Sequence, residues 1–215
     1  MAEGEARSFV TVAATSKTGK SAPERILQRA IEVIEEFGEV GIRTNPIAVE
    51  CGVTPPILYR AFKSREGLII AAQSERYRRA TEAAAQFLCE RIQSASTRDE
   101  LVRNLADGLD YIFNDARNGA RLLRAEVIGS AVSRAELRQR IVEIDRSYSQ
   151  QIVDAFARAR EQNWIRSGLN IEAVVRWGLA LVNSRVTVEF DDREGIKSAW
   201  NEFSKKAIMD AVFEL

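Results

Sequence analysis

The chain has 215 residues, length enough for one large or two modest domains, and its 46% apolar content is that of a globular protein able to bury a sizeable core. Its 31 lysines and arginines balance 31 aspartates and glutamates, so global charge argues neither for nor against a nucleic-acid partner. There is no histidine, which removes the commonest general base and metal ligand, and the two cysteines, Cys51 and Cys89, lack the spacing of a disulfide framework or a zinc site. No run approaches the roughly twenty apolar residues of a membrane span, and no charged start with a long apolar core marks a leader. A cytoplasmic protein without membrane contact, metal or cofactor is expected.

Residues 1–20 are small and polar apart from Phe9, Val10 and Val12, and read as a mobile tail. Its Arg7, Lys17 and Lys20 have the charge to enter a minor groove, although such tails are more often simply unstructured. Ser21, with Glu24 three residues on, forms a capping box that starts the first helix. Ile26, Ala30, Val33, Ile34 and Phe37 then repeat at helical spacing, and Gly38 ends the helix. Glu32, Glu35, Glu36 and Glu39 on its other side make it a support, not a surface for nucleic acid.

The run from Arg43 to Leu68, RTNPIAVECGVTPPILYRAFKSREGL, organises the chain. Ile47, Ala48 and Cys51 share one face of a short helix, and Gly52 supplies the turn, where positive φ is needed. Thr54 is placed as N-cap of a second helix, and Pro55 and Pro56 are tolerated only in its first turn. Two helices joined by a short glycine turn make a helix-turn-helix. At about 100° per residue, Leu58, Phe62 and Ala61 point inward, and Pro56, Arg60 and Lys63 project outward with Ile57 and Tyr59 on the flanks. Cations and hydroxyls suit phosphates, and apolar tips suit thymine methyls in a major groove. Either cation taken singly reads as a solvated surface charge; the combination carries the functional reading.

Gly52-Val53-Thr54, Leu58-Tyr59, Phe62-Lys63-Ser64-Arg65-Glu66 and Leu68 together resemble the TetR family of bacterial transcriptional repressors, over roughly the first third of the chain. Cys51 stands where that family usually has alanine, and Pro55 and Pro56 where it often has glycine, lysine, threonine or serine. Consecutive prolines remove two backbone donors, so this tip is expected to make apolar base contacts with little amide-to-phosphate bonding. The resemblance implies that Thr44, Tyr59, Lys63 and Arg65 position phosphates and that Pro55, Pro56, Ile57 and Arg60 read bases, with Asn45 and Thr54 as further contacts. It also implies a dimer on a near-palindromic operator, and a small-molecule effector among the C-terminal helices that changes the separation of the two reading heads.

From Arg65 a helical pattern runs to about Ser94, roughly 40 Å at 1.5 Å per residue, with Tyr77, Ala80, Ala84, Phe87 and Leu88 as its stripe. Five further helices follow. Thr97 to about Asp115 shows Leu101, Leu105, Leu109 and Ile112; Ala120 to Val132 is shorter and carries Arg121, Arg124 and Glu126. Arg134 to Asn163 reads as one continuous helix striped by Leu137, Ile141, Ile144, Tyr148, Ile152, Ala155 and Ala159. Asp145 intrudes beside that stripe. Two readings stand: an edge residue, solvated or paired with an arginine, which is the commoner case, or a polar anchor inside a ligand cavity. Phe87, Phe113, Tyr148, Phe156 and Trp177 are candidate lining residues, although aromatics at this spacing are more often plain core.

Asn170 caps the next helix, where Ala173 to Val182 is apolar all round except Arg176. Such a helix must be buried on every side, and in a small chain that suggests a partner subunit. The last helix, from about Arg193, adds Ile196, Trp200, Phe203 and Ala207. Val174, Gly178, Leu181, Val182, Trp200 and Phe203 are therefore expected in a twofold interface, with intrachain core as the competing use. The fold expected is all-α with about nine helices: residues 1–20 a tail, 21–66 a three-helix DNA-binding domain, and 67–215 a helical bundle for effector binding and dimerisation. The function expected is a sequence-specific regulator, a repressor released from DNA by an apolar or aromatic effector. A dimeric DNA-binding protein without an effector is the alternative. A helical-bundle enzyme is the remote one, since no spaced pair of catalytic groups occurs.

Overall fold

The computed structural model describes residues 19–213 and is all-helical among them. Its contacts divide the chain into two compact units, residues 1–72 and 73–215, with the boundary inside one long helix. The expected tail lies almost wholly outside the described residues.

In the first unit, α1 (Ala22–Phe37) begins at the Ser21 capping box, in which the Ser21 amide donates to Glu24 Oε2 at 2.7 Å. Ile26, Ala30, Ile31, Val33 and Ile34 are its buried face. Phe37, expected in that stripe, is instead 56% exposed, because Gly38 with φ 69° ends the helix there and the chain doubles back in a 3-10 turn at Glu39–Gly41. α2 (Thr44–Glu50) and α3 (Pro55–Phe62) follow. They are joined through Gly52, at φ 64°, whose turn is closed by Val53 N–H donating to the Ala48 carbonyl at 2.9 Å. Leu58 seats α3 on Ile47, Ala48, Leu68 and Ile69. Ala61, expected inward, is exposed. The next turn is tight: Ser64 Oγ accepts from Gly67 N–H at 2.9 Å, and α4 (Arg65–Gln93) begins.

The second unit contains the rest of α4 with α5 (Arg98–Phe113), α6 (Asn118–Ala131), α7 (Ala135–Ala155), α8 (Ala157–Glu161), α9 (Ile171–Ser184), α10 (Val186–Glu189) and α11 (Ile196–Val212). Its core joins Leu88 and Ile92 to Leu101, Leu105, Leu109, Phe156, Ile208 and Phe213. The single helix expected over 134–163 is divided at Phe156, whose N–H is shared between the Ile152 and Val153 carbonyls at 3.3 and 3.2 Å. That tightening brings both Phe156 and Ala159 into the core.

A charged cluster ties α10 to α6 and α11. Arg121 and Arg185 both reach the Glu189 carboxylate, and Arg185 also reaches Asp115 and Asn201. Two buried guanidiniums around one carboxylate are tolerable only with such further acceptors, and Arg121 adds the Ile112 and Asn114 carbonyls. No helix among the described residues is long and apolar enough to cross a membrane.

Candidate functional site

In the first unit, the outward face of α3 and the start of α2 form the candidate nucleic-acid interface. Thr54, Pro56, Tyr59, Arg60 and Lys63 are exposed there, Pro55 and Ile57 are half-buried, and Asn45 stands exposed on α2. Arg60 and Lys63 make no side-chain hydrogen bond or ion pair among the described residues. Lys63 takes φ 68°, a conformation that strains a side-chain-bearing residue, and terminates α3 with its own N–H on the Tyr59 carbonyl at 2.8 Å. The Tyr59 and Thr44 hydroxyls lie 3.0 Å apart in a hydrogen bond, so two residues fifteen positions apart in the chain are presented together.

Two expectations at this face change. Thr54 holds the N-cap position, but its hydroxyl makes no capping bond: Pro55 has no N–H to offer, nor has Pro56, and Ile57 N–H already donates to the Thr54 carbonyl at 2.9 Å. The hydroxyl is therefore free, and the first turn of α3 lacks spare amides. Arg65, expected on phosphate, spends its guanidinium on the protein, with Nε on the Ile42 carbonyl at 2.8 Å and Nη2 on the Glu39 carbonyl at 2.7 Å. Those carbonyls precede α2, so Arg65 holds the position of the motif.

In the second unit, a cavity of about 110 Å³ lies among α4 to α7, α9 and α11. Phe113, Tyr148, Phe156 and Asp145 line it with aliphatic neighbours such as Leu88, Leu109 and Ile152. Phe87 and Trp177 are not in the lining: the Phe87 ring packs on Tyr111 at 4.2 Å between centroids, and Trp177 is 41% exposed. Val174, Gly178 and Val182, expected at a subunit interface, face this cavity instead. Leu181 and Trp200 are half-buried against the core, with Trp200 edge-on to Phe113, whereas Phe203 is 76% exposed. The faces of α9 are thus turned from those expected, because an all-round apolar helix does not itself state which side the core takes.

Asp145 accepts from the Tyr77 hydroxyl at 3.0 and 3.2 Å. Burial pushes its carboxyl above the ordinary carboxylate value, opposed by Arg124, by the Tyr77 hydrogen bond and by Arg176. Asp145 is half-buried, lines the cavity and has an arginine, Arg124, acting on it. Arg124 and Tyr77 escaped the sequence reading as site residues. The signal available was Arg121 and Arg124, three apart in a largely apolar segment, which put charge on the inner face of α6.

Residues 26–72 match the model of the bacterial regulatory proteins of the tetR family. Solved structures share the fold along nearly the whole chain. One from Mesorhizobium loti, described as a TetR-family transcriptional regulator, is 16% identical with a TM-score of 0.64 over 89% of this chain and 96% of its own. Salmonella enterica GusR is 18% identical with a TM-score of 0.62, over 89% and 95%. FadR from Bacillus subtilis, solved in complex with stearoyl-CoA, is 20% identical with a TM-score of 0.54, over 87% and 98%. No curated protein matches the sequence. Residues 26–72, from α1 to the start of α4, thus match the tetR-family regulatory domain with the motif residues in register, and the all-helical fold of the described residues is shared with these solved structures.

Proposed function

We propose that the protein is a ligand-responsive repressor that binds a near-palindromic operator as a dimer and leaves it when an apolar effector fills the cavity of the second unit. The observation that carries the DNA reading is the exposed face of α3, where Arg60 and Lys63 have no protein partner among the described residues. Thr44, Tyr59 and Lys63 hold phosphates, with Asn45 and Thr54 beside them. Arg60, Pro55, Pro56 and Ile57 face base edges and methyl groups. Arg65 acts as a support, given its bonds to the Ile42 and Glu39 carbonyls.

Dimerisation is supported by the outer faces of α9 and α11, where Trp177 and Phe203 stand exposed beside Ala173, Ala180 and Ala199. Large apolar side chains flanked by small ones suit a self-complementary interface. The effector reading rests on the apolar cavity, and the stearoyl-CoA bound to B. subtilis FadR is in keeping with it. A ligand in that cavity releases DNA only if it binds the DNA-incompetent state more tightly. The cavity favours this over a dimer without an effector.

Repeated selection of duplexes from a random pool by the full-length protein, with anisotropy on the winners across a salt series, tests the reading. Enrichment of one near-palindrome whose binding survives random competitor is expected. Absence of any enriched sequence, with equal and steeply salt-dependent binding to all duplexes, leaves only counterion release and removes the specific reader.

A further inference from the structure

The cavity is apolar nearly everywhere except at one end, where α4, α6 and α7 bring three polar groups together. Arg124 is only 4% exposed, lines the cavity, and sets its guanidinium 5.3 Å from the centre of the Tyr77 ring. Its Nη2 donates to the Tyr77 hydroxyl at 3.4 Å, a long bond, and its Nε is buried without a hydrogen-bond partner among the described residues. Tyr77, fully buried, gives its one proton to Asp145. The phenol thus bridges cation and carboxylate, and the guanidinium keeps unused donor capacity in an apolar enclosure. A buried cation so weakly satisfied is costly, and a ligand oxygen pair is the group that satisfies it best, since a carboxylate matches the guanidinium fork.

We propose that the effector is an amphipathic carboxylate, a slender apolar body carrying one anionic head group that docks on Arg124. The inference rests on the reading of this cavity as the effector site and deepens it. The apolar body lies along Leu88, Leu109, Ile152 and Val174, and the head group lies at the Arg124 end beside Ser149, which is also buried and lines the cavity. Asp145 does not exclude a second carboxylate. The groups acting on it are Tyr77 and Arg124 with Arg176 beyond, and burial already disposes it to take a proton from solvent, which leaves one cation facing one anion. An alkylammonium head would instead place a second cation beside Arg124. An alcohol would leave the guanidinium charge uncompensated.

Isothermal titration of the full-length protein with octanoate, 1-octanol and octylamine tests this, because the three probes share a body and differ only in the head. Octanoate is expected to bind at least about tenfold more tightly than either of the others. Arg124→Gln should abolish that advantage while leaving 1-octanol within about twofold of its wild-type affinity. Tighter binding of octylamine would make Asp145 the anchor and overturn the proposal. Equal affinity for octanoate and 1-octanol, or binding of neither, would also overturn it. Should Arg124→Gln fail to fold, the three-probe comparison on the wild-type protein decides alone. Anisotropy on the selected operator with the same samples separates the outcomes, since intact specific DNA binding alongside a failed octanoate preference rejects the head-group assignment and leaves the DNA reader standing.

Discussion

Asp145 has an environment that its sequence context does not announce. Burial raises its carboxyl above the ordinary value of 3.8, so the folded chain holds this proton at a pH where the unfolded chain has released it. Its contribution is most favourable below that ordinary value and is lost as pH rises through the raised one. Urea midpoints of the wild type and Asp145→Asn measured at pH 4 and pH 7 should therefore move apart, the wild type losing ground at the higher pH; a difference independent of pH would contradict the burial argument. On α3 the expectations concern single groups as well. Arg60→Ala should cost about 1 to 3 kcal/mol of operator binding and relax preference at one base step. Tyr59→Phe removes the hydroxyl held at 3.0 Å from Thr44 and should weaken all duplexes modestly and alike. Anisotropy on an operator set altered one step at a time separates the two patterns, and uniform losses for Arg60→Ala would deny it a base-reading role.

Among the elements, the α3–α4 corner is the most constrained. A Cβ at Gly67 would lie 2.0 Å from the Phe62 carbonyl oxygen, a backbone atom that cannot step aside without opening the turn. Gly67→Ala should destabilise the first unit by on the order of 3 kcal/mol, read as an earlier loss of helical signal in denaturant, and an unchanged midpoint would show that the corner relaxes freely. This glycine was not legible in the sequence, since its role is set by a carbonyl five residues away across a turn. The start of α1 was legible in full, because Ser21 and Glu24 satisfy each other within one turn. The assignment of faces on α9 was not legible. Helical spacing states the angle between two side chains, and on a helix apolar all round that angle leaves the core side undetermined. In the folded unit Val174, Gly178 and Val182 take the cavity and Trp177 takes the outside.

For the whole molecule, the exposed Trp177 and Phe203 are the basis of the proposed twofold assembly. Light scattering at micromolar concentration should return twice the 24.1 kDa chain mass, and Trp177→Lys with Phe203→Glu should return the single mass with the helical content kept. A wild-type monomer would remove the argument for a near-palindromic operator. The all-helical class, the glycine turn at Gly52 and the placement of α3 were determined by the sequence alone, because caps, turns and apolar periodicity act within one or two turns of chain. The tertiary structure decided which charges meet. Arg65 is drawn to carbonyls 23 and 26 residues before it, and Arg124, Tyr77 and Asp145 converge across separations of 47 and 68 residues. Periodicity sets where a side chain points around its own helix, whereas its partner depends on how the helices pack. That packing places a guanidinium, a phenol and a carboxylate at one end of an apolar cavity.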